Sequence, residues 1–268
     1  MRQTQRLLRK SFWGRSYEEL ARLSNIALKL EGIKGPSGPY VLHDFRGPDS
    51  VSDCKVMSDA DIGGFSTAHL DWVSQAASSR TPTSPDADAP ATPYARFHGT
   101  ISNELPPEKL EIKRSGYAGW RTQDRPPTIF GRSLWDIDPY TYLAVRIKSD
   151  GRSYFINVQT DSIVPTDLHQ HRLFTKRPGE WETVMVKWND FVRTNHGFVV
   201  EPQTEMLRQK VKSIGFGLTD RVPGPFELCI GRMWATNHLE EADVDETAAS
   251  HEGELKNRHG ETISWRNQ

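Results

Sequence analysis

Apolar and polar positions alternate over Tyr142–Lys148 and again over Ser153–Thr160, on either side of Asp150-Gly151. Period-two alternation marks a strand with one buried face. Asp-Gly suits a two-residue type I′ turn, in which both central residues take positive φ. The pattern therefore predicts one β-hairpin. Counting out from the turn sets Ile147 against Tyr154, Val145 against Ile156 and Leu143 against Val158. The other face pairs Arg146 with Phe155, Ala144 with Asn157 and Tyr142 with Gln159. Further strands are expected at Tyr40–Phe45, Gly64–Asp71, Tyr94–Ser102, Tyr117–Thr122, Glu182–Trp188, Ser213–Thr219 and Phe226–Ala235, with turn residues between them. Many short strands without βαβ alternation predict an all-β sandwich or barrel. A short helix is expected near Thr204–Lys210.

The N-terminus departs from this pattern. Ser16-Tyr17-Glu18-Glu19 matches a capping box, and Leu20, Leu23, Ala27 and Leu30 follow at helical spacing. They predict an amphipathic helix over Tyr17–Glu31, its stripe either docked on its own domain or offered to a membrane or a partner. Before it, Met1–Tyr17 carries Arg2, Arg6, Arg9, Lys10 and Arg15 with no acid, interleaved with Leu7, Leu8, Phe12 and Trp13. Such a start reads as a mitochondrial transit segment, the alternative being a basic tail. Ser78–Thr92 is rich in Pro, Ser, Thr and Ala, and reads as a disordered insertion near 75–93. After Asn237 the chain is acidic and polar. The expected organisation is a targeting segment and helix over 1–36, a β-sandwich over 37–236, and a polar tail over 237–268.

Composition narrows the function. The formal charge is −1 over 268 residues, so nothing global argues for nucleic acid. No apolar run reaches the roughly 20 residues that span a bilayer. Cys54 and Cys229 form no disulfide framework, which fits a reducing compartment. There is no GxSxG elbow, phosphate loop or HExxH helix. Gly215-Phe216-Gly217 sits inside an expected strand, where close packing is the reading. His169 and His171 would share a strand face but lack a nearby third metal ligand. Asp59 and Asp61, before Gly63-Gly64, read as a turn ahead of a cation site. Of the eight tryptophans, Trp188 is expected in the core, whereas Trp120 and Trp135 lie near turns and are candidates for partial exposure.

Several blocks, in order, resemble a known family. They are Asp61-Ile62-Gly63-Gly64-Phe65-Ser66, Phe97-His98-Gly99-Thr100-Ile101-Ser102 and Ser115-Gly116-Tyr117-Ala118-Gly119-Trp120-Arg121. The segment Tyr142–Thr160 follows, then Trp181-Glu182-Thr183-Val184 leading to Phe191. Ile214-Gly215-Phe216 and Gly224-Pro225-Phe226-Glu227-Leu228 complete the set. Their order across about residues 40–236 resembles the complex I intermediate-associated protein family. That resemblance implies a galactose-binding-domain-like jelly roll, similar to carbohydrate-binding modules. It implies a non-catalytic, cofactor-free chaperone role for mitochondrial complex I. Its partners would be membrane-arm assembly intermediates and other assembly factors, met at the matrix face of the inner membrane, with peripheral contact to anionic lipid. Tyr142, Arg146, Asn157, Gln159 and Trp120 form one expected contact surface. Arg9, Lys10, Trp13, Arg15, Leu20 and Leu23 form an expected membrane or partner helix. The alternative is a carbohydrate-binding module or sugar-active protein on the same fold, stacking sugars on Trp120, Tyr142 or Phe155.

Overall fold

The structure, a computed structural model, describes residues 11–28, 38–74 and 92–239, apart from 108, 110, 111 and 113. Residues 75–91 of the insertion expected near 75–93, Arg9 and Lys10, and the acidic tail from residue 240 lie outside the described residues.

Helix α1 (Phe12–Leu28) precedes thirteen strands. They are β1 (Tyr40–Asp44), β2 (Cys54–Ser58), β3 (Thr67–Val73), β4 (Tyr94–Ile101), β5 (Ala118–Thr122), β6 (Tyr142–Ser149) and β7 (Tyr154–Thr160). After them come β8 (Asp167–Arg172), β9 (Trp181–Lys187), β10 (Val192–Asn195), β11 (Phe198–Val199), β12 (Val211–Leu218) and β13 (Gly224–Thr236). A one-turn helix, α2 (Asp49–Ser52), joins β1 to β2. The strands form two antiparallel sheets. One runs β3-β4-β13-β6-β9, with β1 also on β13; the other runs β11-β10-β8-β7-β12-β5-β2. The all-β sandwich is thus present, with the N-terminal helix beside it.

The segment at Tyr142–Thr160 is not a hairpin. β6 pairs with β9 and β13, whereas β7 pairs with β8 and β12 in the opposite sheet. The alternation was nevertheless informative. Leu143, Val145 and Ile147 on β6, and Tyr154, Ile156 and Val158 on β7, are all fully buried. They meet across the sandwich interior instead of side by side on one sheet.

Asp150-Gly151-Arg152 makes this crossing. Only Gly151 takes positive φ (88°), so the two-residue I′ geometry is absent. The Asp150 carboxylate accepts from the Arg152 amide (2.9 Å), the Glu227 amide (2.8 Å) and the Tyr154 hydroxyl (3.0 Å). Arg152 grips Asp220 through Nε (2.9 Å) and Nη2 (2.7 Å), and its Nη1 donates to the Pro225 carbonyl (2.9 Å). These bonds anchor the crossing to both β13 and the end of β12.

β13 spans both halves of its sheet by means of a bulge. Phe226, Leu228 and Ile230 point inward at even positions, but Met233 and Ala235 do so at odd ones. The register shifts between Ile230 and Arg232, leaving Gly231 as the extra residue. Four strands escaped the sequence pattern, β2, β8, β10 and β11. In β8 and β10 the buried positions are polar: Asn195 Nδ2 donates to Asp167 Oδ1 at 2.6 Å, and Arg193 lies 3.5 Å from the same carboxylate. Polar pairing replaces the apolar signal there. Near Thr204–Lys210 only a single turn, Arg208–Lys210, is helical.

Burial alone would push the Asp220 carboxyl up, but the Arg152 guanidinium overrides it and holds Asp220 below the usual carboxylate range. Its stabilisation is therefore present above the unfolded carboxyl pKa and is lost as pH falls through the depressed folded value. Urea unfolding across the acid limb is expected to show this loss. Arg152→Ala is expected to cost about 3 kcal/mol at neutral pH, since it strands a largely buried carboxylate. It should also remove Asp220's share of the acid dependence.

Candidate functional site

The expected contact surface divides in two. Tyr142 and Arg146 lie on the outer face of the β3–β9 sheet, facing Lys187 and Thr183 across the β6/β9 ladder. Asn157 and Gln159 lie on the outer face of the other sheet, opposite Gly215 and Ser213 of β12. Because the chain crosses between sheets at Asp150–Arg152, these pairs occupy opposite sides of the sandwich. Trp120 belongs to neither side. It is buried in the core, edge-on to Phe45 at 5.7 Å and beside Phe216 at 5.6 Å. Trp135 is buried too. Proximity to turns misled in both cases, because alternation along β5 aims Trp120 inward with Ala118 and Thr122.

On the Asn157 side the amides bond to one another. Gln170 Nε2 donates to Asn157 Oδ1 at 2.8 Å, and Thr194 Oγ1 donates to Gln170 Oε1 at 2.9 Å. Gln159 Nε2 donates to the Pro165 carbonyl at 2.6 Å, and Ser213 Oγ donates to Gln159 Oε1. Asn157 also covers Gly217, where an added Cβ would meet its amide nitrogen at 2.8 Å. These amides brace β10, β8, β7 and β12 against one another. Part of their hydrogen-bonding capacity is therefore spent within the sheet.

The β6–β9 half of the opposite face is cationic; towards β4, Arg96 pairs with Glu227 and His98 with Asp71. Arg146 and Lys148 on β6 share the cationic half with Lys187 on β9 and Arg232 on β13, set by the ladders Tyr142↔Lys187 and Arg146↔Arg232. The Arg146 stem passes 3.4 Å from where a Cβ would stand on Gly231, so the bulge gives it room. The Arg232 guanidinium stacks over the Trp234 ring at 4.1 Å.

Helix α1 docks in an unexpected orientation. Ser11, not Ser16, caps it, with Ser11 Oγ accepting from the Gly14 amide at 3.2 Å. Ser16 instead faces the domain, its hydroxyl accepting from the Ile129 amide. Glu19 is buried and bonds to Arg22 Nη2 at 2.6 Å, while Arg22 Nη1 donates to the Gln209 carbonyl at 3.0 Å. The helix thus docks through its polar side. Leu20 and Leu23, in the stripe expected either to dock on the domain or to face a membrane or partner, are exposed, as are Trp13 and Tyr17; Arg15 is half-buried. Hydrogen bonds and an ion pair hold this contact, so the apolar stripe is the side left exposed.

Asp59 is neither a turn residue alone nor a cation ligand. It is fully buried, and its carboxylate accepts from the Ser66 amide (2.8 Å), the Ser66 hydroxyl (2.9 Å) and the Gly116 amide (2.5 Å). A Cβ on Gly64 would stand 2.5 Å from the Asp59 carboxyl carbon, and Gly116 holds φ at +86°. Those constraints explain two of the sequence blocks, at Gly63-Gly64-Phe65-Ser66 and Ser115-Gly116. Their chemistry is a structural pin.

Two arrangements resemble catalytic or metal geometry. Cys54 Sγ lies 3.6 Å from His43 Nε2. Burial first, then Asp53, pushes the Cys54 thiol up to about 12, and burial lowers His43. The pair stays a neutral thiol and a neutral imidazole near pH 7, without the thiolate a nucleophile requires. Burial, with Arg193 beside it, likewise lowers His169, which sits on the interior side of β8 with His171. Among the described residues no three His, Cys, Asp or Glu side chains converge as metal ligands.

These features define a β-sandwich whose polar residues build surfaces and braces. The comparisons then place it. A family model described as complex I intermediate-associated protein 30 (CIA30) matches residues 43–230, and the chain belongs to that family. A Neurospora crassa protein named "Complex I intermediate-associated protein 30, mitochondrial" is 63% identical over 98% of this chain and 96% of its own length. Proteins of the same name from Mus musculus and Drosophila melanogaster are 29% and 27% identical, over 78% and 77% of this chain and 63% and 67% of their own. Among solved structures, a family 11 carbohydrate-binding module from Clostridium thermocellum overlays 76% of this chain and 98% of its own, at 15% identity and TM-score 0.48. The sandwich assignment rests on the strand pairing itself.

Asp59→Ala is expected to cost about 3 kcal/mol or more, because it leaves buried donors without an acceptor. Thermal and urea unfolding will measure it, and a loss under 1 kcal/mol would contradict the pin. Burial likewise holds the Cys229 thiol at about 12. Neither thiol is therefore expected to react with a thiol-specific dye in native protein near pH 7, whereas both should react at once after unfolding.

Proposed function

We propose that the chain is a non-catalytic assembly factor for mitochondrial complex I, holding membrane-arm intermediates at the matrix face of the inner membrane. The observation that carries this reading is the CIA30 family match over residues 43–230, with the 63% identical relative of that name. The geometry is compatible with a binding role. Among the described residues the close thiol–imidazole pair, Cys54 and His43, is held towards its neutral form by burial, and the buried carboxylate at Asp59 is consumed by structural bonds. Of the aromatic side chains in the sugar-stacking alternative, Trp120 is buried, and Tyr142 and Phe155 stand half-buried on opposite sheets.

Within this reading the partner-facing surface is the cationic side of the sandwich, around Tyr142, Arg146, Lys148 and Lys187. Cations spread over three neighbouring strands suit an acidic protein surface, with attraction that weakens as salt rises. Other assembly factors are partners of the same kind. Asn157 and Gln159 act on the opposite face as braces.

The test is complementation in mitochondria lacking the resident family member, followed by native gels. The chain is expected to restore complex I and to co-migrate with its intermediates. The double charge reversal Arg146→Glu/Lys148→Glu should cut that co-migration about tenfold or more, while the purified variant melts like the parent. Full rescue without any co-migration would contradict the holding role. Co-migration untouched by the reversal would move the contact to another surface.

A further inference from the structure

One edge of the β3–β9 sheet is open among the described residues. β9 pairs with β6 on one side and with no described strand on the other. The Trp188 amide donates to the Thr141 carbonyl at 3.1 Å, which continues the β6/β9 ladder by one step. Bonded and non-bonded pairs alternate along an antiparallel ladder. Counting back from Trp188, the backbone groups of Val186, Val184 and Glu182 therefore face β6, and those of Lys187, Met185 and Thr183 point to the open edge. None of these edge groups meets a partner among the described residues. Folds often blunt such an edge with proline, a bulge or a very short strand. β9 instead runs for seven residues with neither proline nor bulge, and its charged residues, Glu182 and Lys187, stand near its two ends.

The open edge borders a groove of about 420 Å³. Val184, Met185 and Val186 form one wall, and His171 comes from β8 in the other layer. Val184 and Val186 belong to the inward-facing set of β9 and pack on the core, so the groove enters the gap between the two sheets. Phe174, 61% exposed, lines it with the His171 ring edge-on at 6.0 Å. The Glu182 carboxylate is buried and accepts from the Lys176 amide (3.0 Å) and the Arg177 amide (3.3 Å). Those bonds hold Lys176 and Arg177 in the groove's lining.

The occupant follows from the edge, the groove and the charge. An extended segment added to β9 would satisfy the outward backbone groups, and its side chains would alternate between two environments. One set would cover Val184 and Phe174 in the groove, where apolar groups are favoured. The other would lie on the outer face beside Lys187, one strand from Lys148 on β6. Lys148, Lys176 and Lys187 have no acidic partner among the described residues, and Arg177 has Glu180 at 3.8 Å. Glu182 is spent on two amides, so acidic side chains suit the outer set. We propose that the open edge of β9 is a strand-addition site, which takes an extended segment of a partner protein with apolar side chains over the groove and acidic ones on the outer face.

This deepens the cationic-face reading above and rests on it only for which protein supplies the segment. Charge attraction alone leaves the partner free to slide. Backbone pairing along β9 fixes its direction and register, and the groove selects alternate side chains.

The experiment is an anisotropy titration of the purified full chain against a fluorescein-labelled, capped peptide, Glu-Val-Glu-Val-Glu-Val-Glu, as long as β9. Saturable binding that weakens as salt rises is expected, with the Lys-for-Glu peptide at least about tenfold weaker. Met185→Pro removes an amide that points to the edge and spares the ladder to β6. It should weaken binding about tenfold with an unchanged melting profile. Lys176→Glu/Lys187→Glu should weaken it about as much through charge. Amide exchange on the native chain needs no variant: Thr183, Met185 and Lys187 should exchange fast alone and slowly with the peptide bound. A parent that does not bind the peptide, equal binding of the lysine peptide, or a charge-reversed or stably folded Met185→Pro chain that binds like the parent would each overturn the proposal. Edge amides already slow in the free chain would overturn it too, and would assign the edge to the chain's own tail if sedimentation finds a monomer, or to a second copy if it finds a dimer. No complex I is present in the assay, so failure of this edge and failure of the assembly role remain separate results.

Discussion

The crossing at Asp150–Arg152 is the constraint on which the rest of the structure depends. β6 and β7 each carry one fully apolar face, and the short connection between them makes those faces meet through the interior. A flat hairpin would put both faces on one side of one sheet. It would leave the second layer to be recruited from elsewhere. The crossing is secured by charge-assisted bonds from Arg152 to Asp220 and by the threefold acceptance at Asp150. By sending the chain from one sheet to the other, it also fixes which polar residues become neighbours on the surface.

A second polar anchor does comparable work elsewhere. Asp59 joins the turn before β3 to Gly116 before β5, tying one sheet to the other through a buried carboxylate. Both anchors lie where strands change layers, and both use glycines whose Cβ would collide or whose φ is positive. Much of the polar content of the sequence blocks is therefore architectural. The surface proposed for recognition is the cationic outer face of β9, β6 and β13. This division of labour suits a protein that acts by holding partners.

Much of the fold was legible in the sequence. Period-two alternation found nine strands, because each buries one apolar face; it missed β8 and β10, where Asp167, Arg193 and Asn195 satisfy one another. The Asp150-Gly151 pair announced a reversal. It did not say whether the returning strand stays in its sheet, since that depends on competing partners such as β9 and β12. The candidate surface suffered from the same blind spot. Arg146 and Asn157 are separated by layer, and Trp120 by strand parity. For α1 the amphipathic pattern was visible, but hydrogen bonds through Ser16, Glu19 and Arg22 chose the buried side. No hydrophobicity count contains that choice.

The central claim is that one face of a two-layer sandwich meets the partner while the other is braced within itself. Site-specific photo-crosslinking inside mitochondria tests it most directly, with the reactive group placed in turn at 146 and 157. The account predicts protein crosslinks to complex I intermediates from position 146 and none from position 157. Crosslinks to the same protein partner from both 146 and 157 would contradict it.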